Sequence, residues 1–160
     1  MKFLIVGLPR SGTSWAANLM MANGEICIHD PLAKIYPDEL LNMDVGAACT
    51  GMWLFPSIIN EAKCPTVVIE RDLESVNASL YEMGLPTIAP DQAAMLGNVE
   101  GYRIKYKDLF NYDKANEMFA YMTGRELCMA RHSIMCEMNV QHKECGFDES
   151  IMMEMHKWRA

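Results

Sequence analysis

Residues 3–15 read Phe3-Leu4-Ile5-Val6-Gly7-Leu8-Pro9-Arg10-Ser11-Gly12-Thr13-Ser14-Trp15, and their reading decides the fold. Four uninterrupted apolar residues fit a strand buried on both faces. Gly7 and Gly12 bracket a tight loop, and from Thr13 onward the apolar spacing is helical. A strand, a Gly-bounded loop and a helix start make a cradle for phosphate. The loop N–H groups converge on one point, and the helix N-terminus adds partial positive charge there. The two glycines supply the φ freedom and close backbone approach that such a loop needs. The common nucleoside-triphosphate version of this loop ends in Lys followed by Ser or Thr. Here Thr13 stands in the Lys place and the cation comes earlier, at Arg10. The segment reads as an anion cradle, but not one of the usual ATPase kind.

Outward from this loop, β-like runs recur at residues 3–6, 26–29, 66–70 and 102–106. Helical spacing occupies residues 13–22, 45–62 and 73–83, then 114–123 and 126–140, with Gly124 between the last two as a cap or turn. Residues 86–101 carry Pro86, Pro90, Gly97 and Gly101 and read as a loop or a short excursion. Strands alternating with helices predict an α/β fold with three layers, of the P-loop type. Its mostly parallel sheet of about four to five strands is flanked by helices. Residues 1–160 are expected to form one domain, with residues 125–160 helical in part and the last stretch, 145–160, unassigned.

The formal net charge of −7 argues against a general nucleic-acid or membrane-surface binder. An anionic ligand remains compatible where basic residues such as Arg10 and Arg71 gather locally. The longest apolar runs are too short to span a bilayer. The N-terminus carries one Lys before an apolar run ending in Pro9 and Arg10, with no small-residue cleavage site, and reads as a core strand rather than a secretion signal. The six cysteines show no paired short spacing, so reduced thiols in a cytoplasm are expected. The 15 methionines read as adaptable core filler.

Three groups of residues carry a family resemblance. Pro9-Arg10-Ser11-Gly12-Thr13-Ser14-Trp15 is similar to the Pro-(Lys/Arg)-Ser-Gly-Thr-(Thr/Ser)-Trp signature of sulfotransferases that use 3′-phosphoadenosine-5′-phosphosulfate. Its Arg form resembles the tyrosylprotein branch. Val67-Val68-Ile69-Glu70-Arg71, with Ser79 eight residues after Arg71, resembles the family's second signature. Lys105-Tyr106-Lys107-Asp108-Leu109 is a softer echo of the family's Arg-Tyr-Glu-Asp-Leu. The resemblance implies that the first loop, Pro9 to Trp15, wraps the 5′-phosphosulfate, with Arg10 at the bridging oxygen and Trp15 against the adenine. It implies that Arg71 and Ser79 hold the 3′-phosphate and that Tyr106 contacts the base. Trp15 and Tyr106 suit a core role equally well. The likeness spans residues 1–123, and the family's late Gly-rich basic segment has no recognisable counterpart here.

Sulfuryl transfer needs a group to take the proton from the acceptor hydroxyl. His29 and Asp30 end the second strand, near the carboxyl edge where ligands of such sheets bind. Either suits the base, with a turn cap or a satisfied imidazole as the structural alternatives. Cys128, His132 and Cys136 fall at four-residue intervals, with His142 and Cys145 soon after. That set suits zinc in principle, but buried thiols beside a His are the commoner case, and no metal is expected.

The leading expectation is a sulfotransferase that moves a sulfuryl group to a hydroxyl on a sugar, a small metabolite or a peptide, releasing adenosine 3′,5′-bisphosphate. A P-loop phosphotransferase acting on a nucleoside or small metabolite is the alternative enzyme, weakened by the missing Lys at position 13. A non-catalytic relative that binds an adenine nucleotide is the third reading.

Overall fold

The computed structural model of the chain describes residues 1–138. The first strand, β1 (Phe3–Gly7), is buried along its whole length. It lies at the centre of a five-stranded sheet with β2 (Cys27–His29), β3 (Gly46–Cys49), β4 (Thr66–Glu70) and β5 (Tyr102–Lys105), in the order β2-β3-β1-β4-β5. Every pairing is parallel, with Ile5 opposite Ala48 on one side and Val67 on the other. Parallel strands need crossovers, and helices supply them on both faces.

Seven α-helices occur among the described residues: α1 (Thr13–Ala22), α2 (Pro37–Leu41), α3 (Pro56–Ala62), α4 (Leu73–Glu82), α5 (Pro90–Ala94), α6 (Tyr112–Thr123) and α7 (Met129–Glu137). The alternation of side chains along β1 divides the core. Phe3 and Ile5 face a cluster with Trp15, Leu19 and Met20 of α1, Met118 and Phe119 of α6 and Met135 of α7. Leu4 and Val6 face the other layer, with Leu40, Trp53, Ile59, Val76 and Leu80. The expected three-layer α/β architecture with a parallel sheet is therefore present.

Residues 45–62, expected as one helix, contain a strand, a 3-10 turn at Met52–Leu54 and the short α3. Ala47 and Ala48 favour a helix by propensity, although Gly46 does not. They serve instead as a thin strand between β1 and β2. A Cβ at Gly46 would lie 2.0 Å from the Phe3 ring, so the missing side chain at Gly46 makes room for that ring. Residues 86–101, expected as a loop or a short excursion, hold α5 and a 3-10 turn at Met95–Asn98. The last expected helix, 126–140, begins later, at Met129, and residues 139–140 lie outside the described residues. Gly124 caps α6 with φ 69°, a left-handed geometry that glycine adopts without strain. Among the described residues no helix is long and apolar enough to cross a membrane.

Candidate functional site

All five strands end at the same edge of the sheet, so the residues just past them form one ring. The loop Leu8–Gly12 follows β1, His29 closes β2, Thr50 follows β3, Arg71 follows β4 and Tyr106 follows β5. Ligand crevices of open parallel sheets lie at this carboxyl edge.

The β1 loop is a closed turn. Ser11 is fully buried, and its N–H and hydroxyl both donate to the Leu8 carbonyl, at 3.1 and 2.6 Å. Gly7 permits this, since a Cβ there would meet Ser11 Oγ at 2.3 Å. Arg10 adopts φ 68° and Gly12 φ 94°, which turns the chain sharply into α1. Gly12 is the N-cap of α1 and offers no side-chain cap, and the first turn holds no acidic residue. By contrast, α4 and α6 are capped by Asp72 and Asn111. The first-turn amides of α1 thus face the loop with the positive end of the helix dipole behind them.

The structure brings the expected phosphate residues together across the chain. Arg10 Nε donates to Ser79 Oγ at 2.9 Å. Arg71 donates through its guanidinium to the Arg10 carbonyl. The same guanidinium lies 4.5 Å from the Tyr106 ring centroid, and that ring packs on Gly12, whose Cβ would lie 2.9 Å from Tyr106 Cδ2. Pro9 and Ser14 are half-buried on the loop and the first helical turn, and Thr13 is buried.

Trp15 sits elsewhere than the adenine contact implied. It is 3% exposed, its indole N–H donates to the Met135 carbonyl at 3.0 Å, and its ring meets Phe110 and His132 edge-on. In this arrangement it joins α1 to α7 in the core.

At the β2 end, His29 Nε2 lies 3.0 Å from Ser14 Oγ, 3.3 Å from Thr13 Oγ1 and 3.5 Å from Asp30 Oδ2. Burial pushes the imidazole below its usual titration range, and the Asp30 charge opposes that shift only in part. Burial thus favours the neutral imidazole, and Nε2 and the Ser14 hydroxyl lie within hydrogen-bonding distance of each other. Asp30 has φ 45° and directs Oδ1 to the N–H and hydroxyl of Thr50, at 2.6 and 2.8 Å. Thr50 was hidden in sequence because its strand read as helix.

The zinc arrangement weighed at the C-terminal helix is not formed by the described residues. Cys128 precedes α7 as its N-cap, and buried His132 has Nε2 2.9 Å from the Leu109 carbonyl. No group of three or more potential ligands occurs among the described residues, and His142 and Cys145 lie outside them. An open cleft of about 500 Å³ lies at the opposite edge of the sheet, lined by Lys63, Cys64, Thr66, Glu100 and Tyr121 among others. Asn60 in that cleft is engaged with Asn98 and Glu100. Arg10 and Arg71 and the hydroxyls of Thr13, Ser14 and Ser79 gather at the carboxyl edge, and we assign the candidate site there. No protein-family model matches the chain, and no curated protein matches it.

Proposed function

We propose that the protein is a sulfotransferase that uses 3′-phosphoadenosine-5′-phosphosulfate and a hydroxyl acceptor. The observation that carries the reading is the Arg10–Ser79 hydrogen bond, 69 residues apart in sequence, with Arg71 on the Arg10 carbonyl. Two motifs singled out separately in the sequence thus contribute to one cationic corner. Two arginines, a helix N-terminus and hydroxyls from Thr13, Ser14 and Ser79 suit a ligand with two separated anionic groups.

The cofactor would supply the sulfuryl group: the acceptor oxygen bonds to sulfur as the S–O bond to the 5′-phosphate breaks, and that electron pair leaves with adenosine 3′,5′-bisphosphate. Arg10 and the loop amides hold the negative charge that grows on the leaving oxygen, a stabilisation that strengthens in the transition state. Arg71 and Ser79 hold the 3′-phosphate. Tyr106 braces Arg71 from below. His29 takes the acceptor proton at Nε2 and passes it to solvent, and the Asp30 carboxylate, 3.5 Å away, offsets the charge that forms. The burial that lowers the His29 titration supports that division of roles, because a base must be unprotonated to act. No metal enters the reading. A cytoplasmic setting belongs to it, in keeping with the free thiols of Cys27, Cys49, Cys64, Cys128 and Cys136.

Calorimetry with adenosine 3′,5′-bisphosphate, adenosine 5′-monophosphate and ATP with Mg²⁺ tests the reading, alongside transfer or slow hydrolysis of labelled cofactor. Binding of the bisphosphate well above the other two, with labelled sulfate released, is the expected result. Preference for ATP with Mg²⁺ would turn the assignment to a phosphotransferase, and bisphosphate binding without turnover to a non-catalytic nucleotide binder.

A further inference from the structure

Thr50, the first residue past β3, turns both of its donors onto one oxygen. Its N–H and its hydroxyl reach Asp30 Oδ1 at 2.6 and 2.8 Å. Its own carbonyl accepts the indole N–H of buried Trp53 at 2.6 Å, so the clamp is anchored in the core. The Asp30 backbone is fixed as well, its N–H donating to the Ala48 carbonyl at 2.8 Å. With Oδ1 engaged, Oδ2 is the oxygen turned toward His29, 3.5 Å from Nε2. That separation exceeds a good hydrogen bond, whereas Ser14 Oγ is 3.0 Å from the same nitrogen.

We propose that Thr50 is a positioning residue whose clamp on Asp30 Oδ1 keeps the carboxylate from closing onto His29, so that Nε2 keeps only the hydroxyl contacts of Ser14 and Thr13, which an acceptor hydroxyl would displace. The functional meaning rests on the sulfotransferase reading, while the clamp can be measured without turnover. A released carboxylate would pair with the imidazolium, because an opposite charge at contact distance favours the protonated form. A base held as an ion pair accepts protons poorly at neutral pH.

The surroundings of His29 make Asp30 the charge that matters. Helix α1 contains no charged residue, and it offers His29 only the hydroxyls of Thr13 and Ser14. The neighbouring strand β3 contributes one titratable group, Cys49, whose thiol is pushed up chiefly by burial and stays protonated. The Arg10 guanidinium reaches Ser79, and Lys34, past the turn Pro31–Ala33, is exposed.

The test is an NMR titration of the His29 imidazole in the full chain, comparing wild type with Thr50→Val, Thr50→Ser and Asp30→Asn. Thr50→Val should raise the His29 titration by about one pH unit or more. Thr50→Ser should restore the wild-type value, and Asp30→Asn should lower it. Where turnover is measurable, the acid limb of kcat should move in the same directions while KM for the phosphosulfate stays within about twofold, since neither Thr50 nor Asp30 belongs to the phosphate corner. An unchanged or lowered titration in Thr50→Val overturns the proposal. If Thr50→Val does not fold, Thr50→Ala likewise removes the hydroxyl donor and keeps the backbone N–H, and an unchanged titration there overturns it equally. Loss of the sulfotransferase reading shows separately, as wild-type protein that fails to bind adenosine 3′,5′-bisphosphate while the Thr50 shifts persist.

Discussion

Arg71 lies over the face of Tyr106, 4.5 Å from its ring centroid, while its guanidinium donates to the Arg10 carbonyl. A planar, stacked and hydrogen-bonded guanidinium cannot be replaced by an ammonium without loss. Arg71→Lys should weaken adenosine 3′,5′-bisphosphate binding by roughly 10-fold or more, the scale of one charge-assisted contact. Affinity for adenosine 5′-monophosphate should barely change. Calorimetry with both ligands checks this, and equal losses for the two would remove Arg71 from the 3′-phosphate.

Arg10 is expected to act on the transition state more than on the ground state. Arg10→Ala should lower kcat by about 10²–10³-fold, as for loss of one preorganised donor at a developing charge. Unchanged turnover of labelled cofactor in that variant would take Arg10 out of the mechanism.

Gly12 combines φ 94° with a Tyr106 ring 2.9 Å from where a Cβ would sit. Gly12→Ala should cost about 1–2 kcal/mol through the left-handed backbone alone, and it should displace Tyr106 from Arg71. The expected readings are a lower thermal midpoint together with weaker bisphosphate binding. A variant with wild-type values for both would mean that the loop tolerates another shape.

The pH dependence of stability follows from His29. Its folded-state titration lies below the ordinary value of 6.5 because burial disfavours the cation. The unfolded chain therefore takes up the proton first as pH falls. This contribution to stability is complete above about pH 6.5 and is lost as pH drops through the folded-state value. Urea unfolding should show His29→Gln losing that part of the slope between neutral and mildly acidic pH. Identical slopes in both proteins would contradict the burial argument.

Trp15 tests the division between core and ligand. Trp15→Phe removes the donor to the Met135 carbonyl and part of the packing between α1 and α7. It should destabilise the fold by about 1–3 kcal/mol and leave bisphosphate affinity of the folded protein nearly unchanged. A large loss of affinity at unchanged stability would return Trp15 to the nucleotide.

The parts of this molecule that could be read in advance are those where one local rule acts alone. Val67, Val68 and Ile69 are buried between parallel neighbours, so an apolar run is sufficient to mark β4. The β1 loop was legible because Gly7, Gly12 and Arg10 each answer a backbone or charge requirement within a few residues. Helices α2 and α5 were missed, yet each opens on a proline: Pro37 and Pro90. Proline at the first helical position is a start signal, and at Pro90 it read as part of a loop. Gly46–Cys49 was illegible for a different reason: the demand for glycine at position 46 comes from the Phe3 ring, distant in sequence. Thr50 inherits that difficulty, since its role exists only once β3 stands beside β2.

Because the strands run in one direction, the site has no continuous stretch of chain behind it. Its cations, hydroxyls and imidazole come from five separate segments whose only common support is the sheet. A dianionic ligand bridging Arg10, Arg71 and Ser79 would therefore act as a staple between β1 and β4, and its binding energy would resist separation of those strands. Thermal shift measured against ligand concentration should then track occupancy of the site. A fragment ending before β5 would lose Tyr106 and much of that coupling, even with the glycine loop intact.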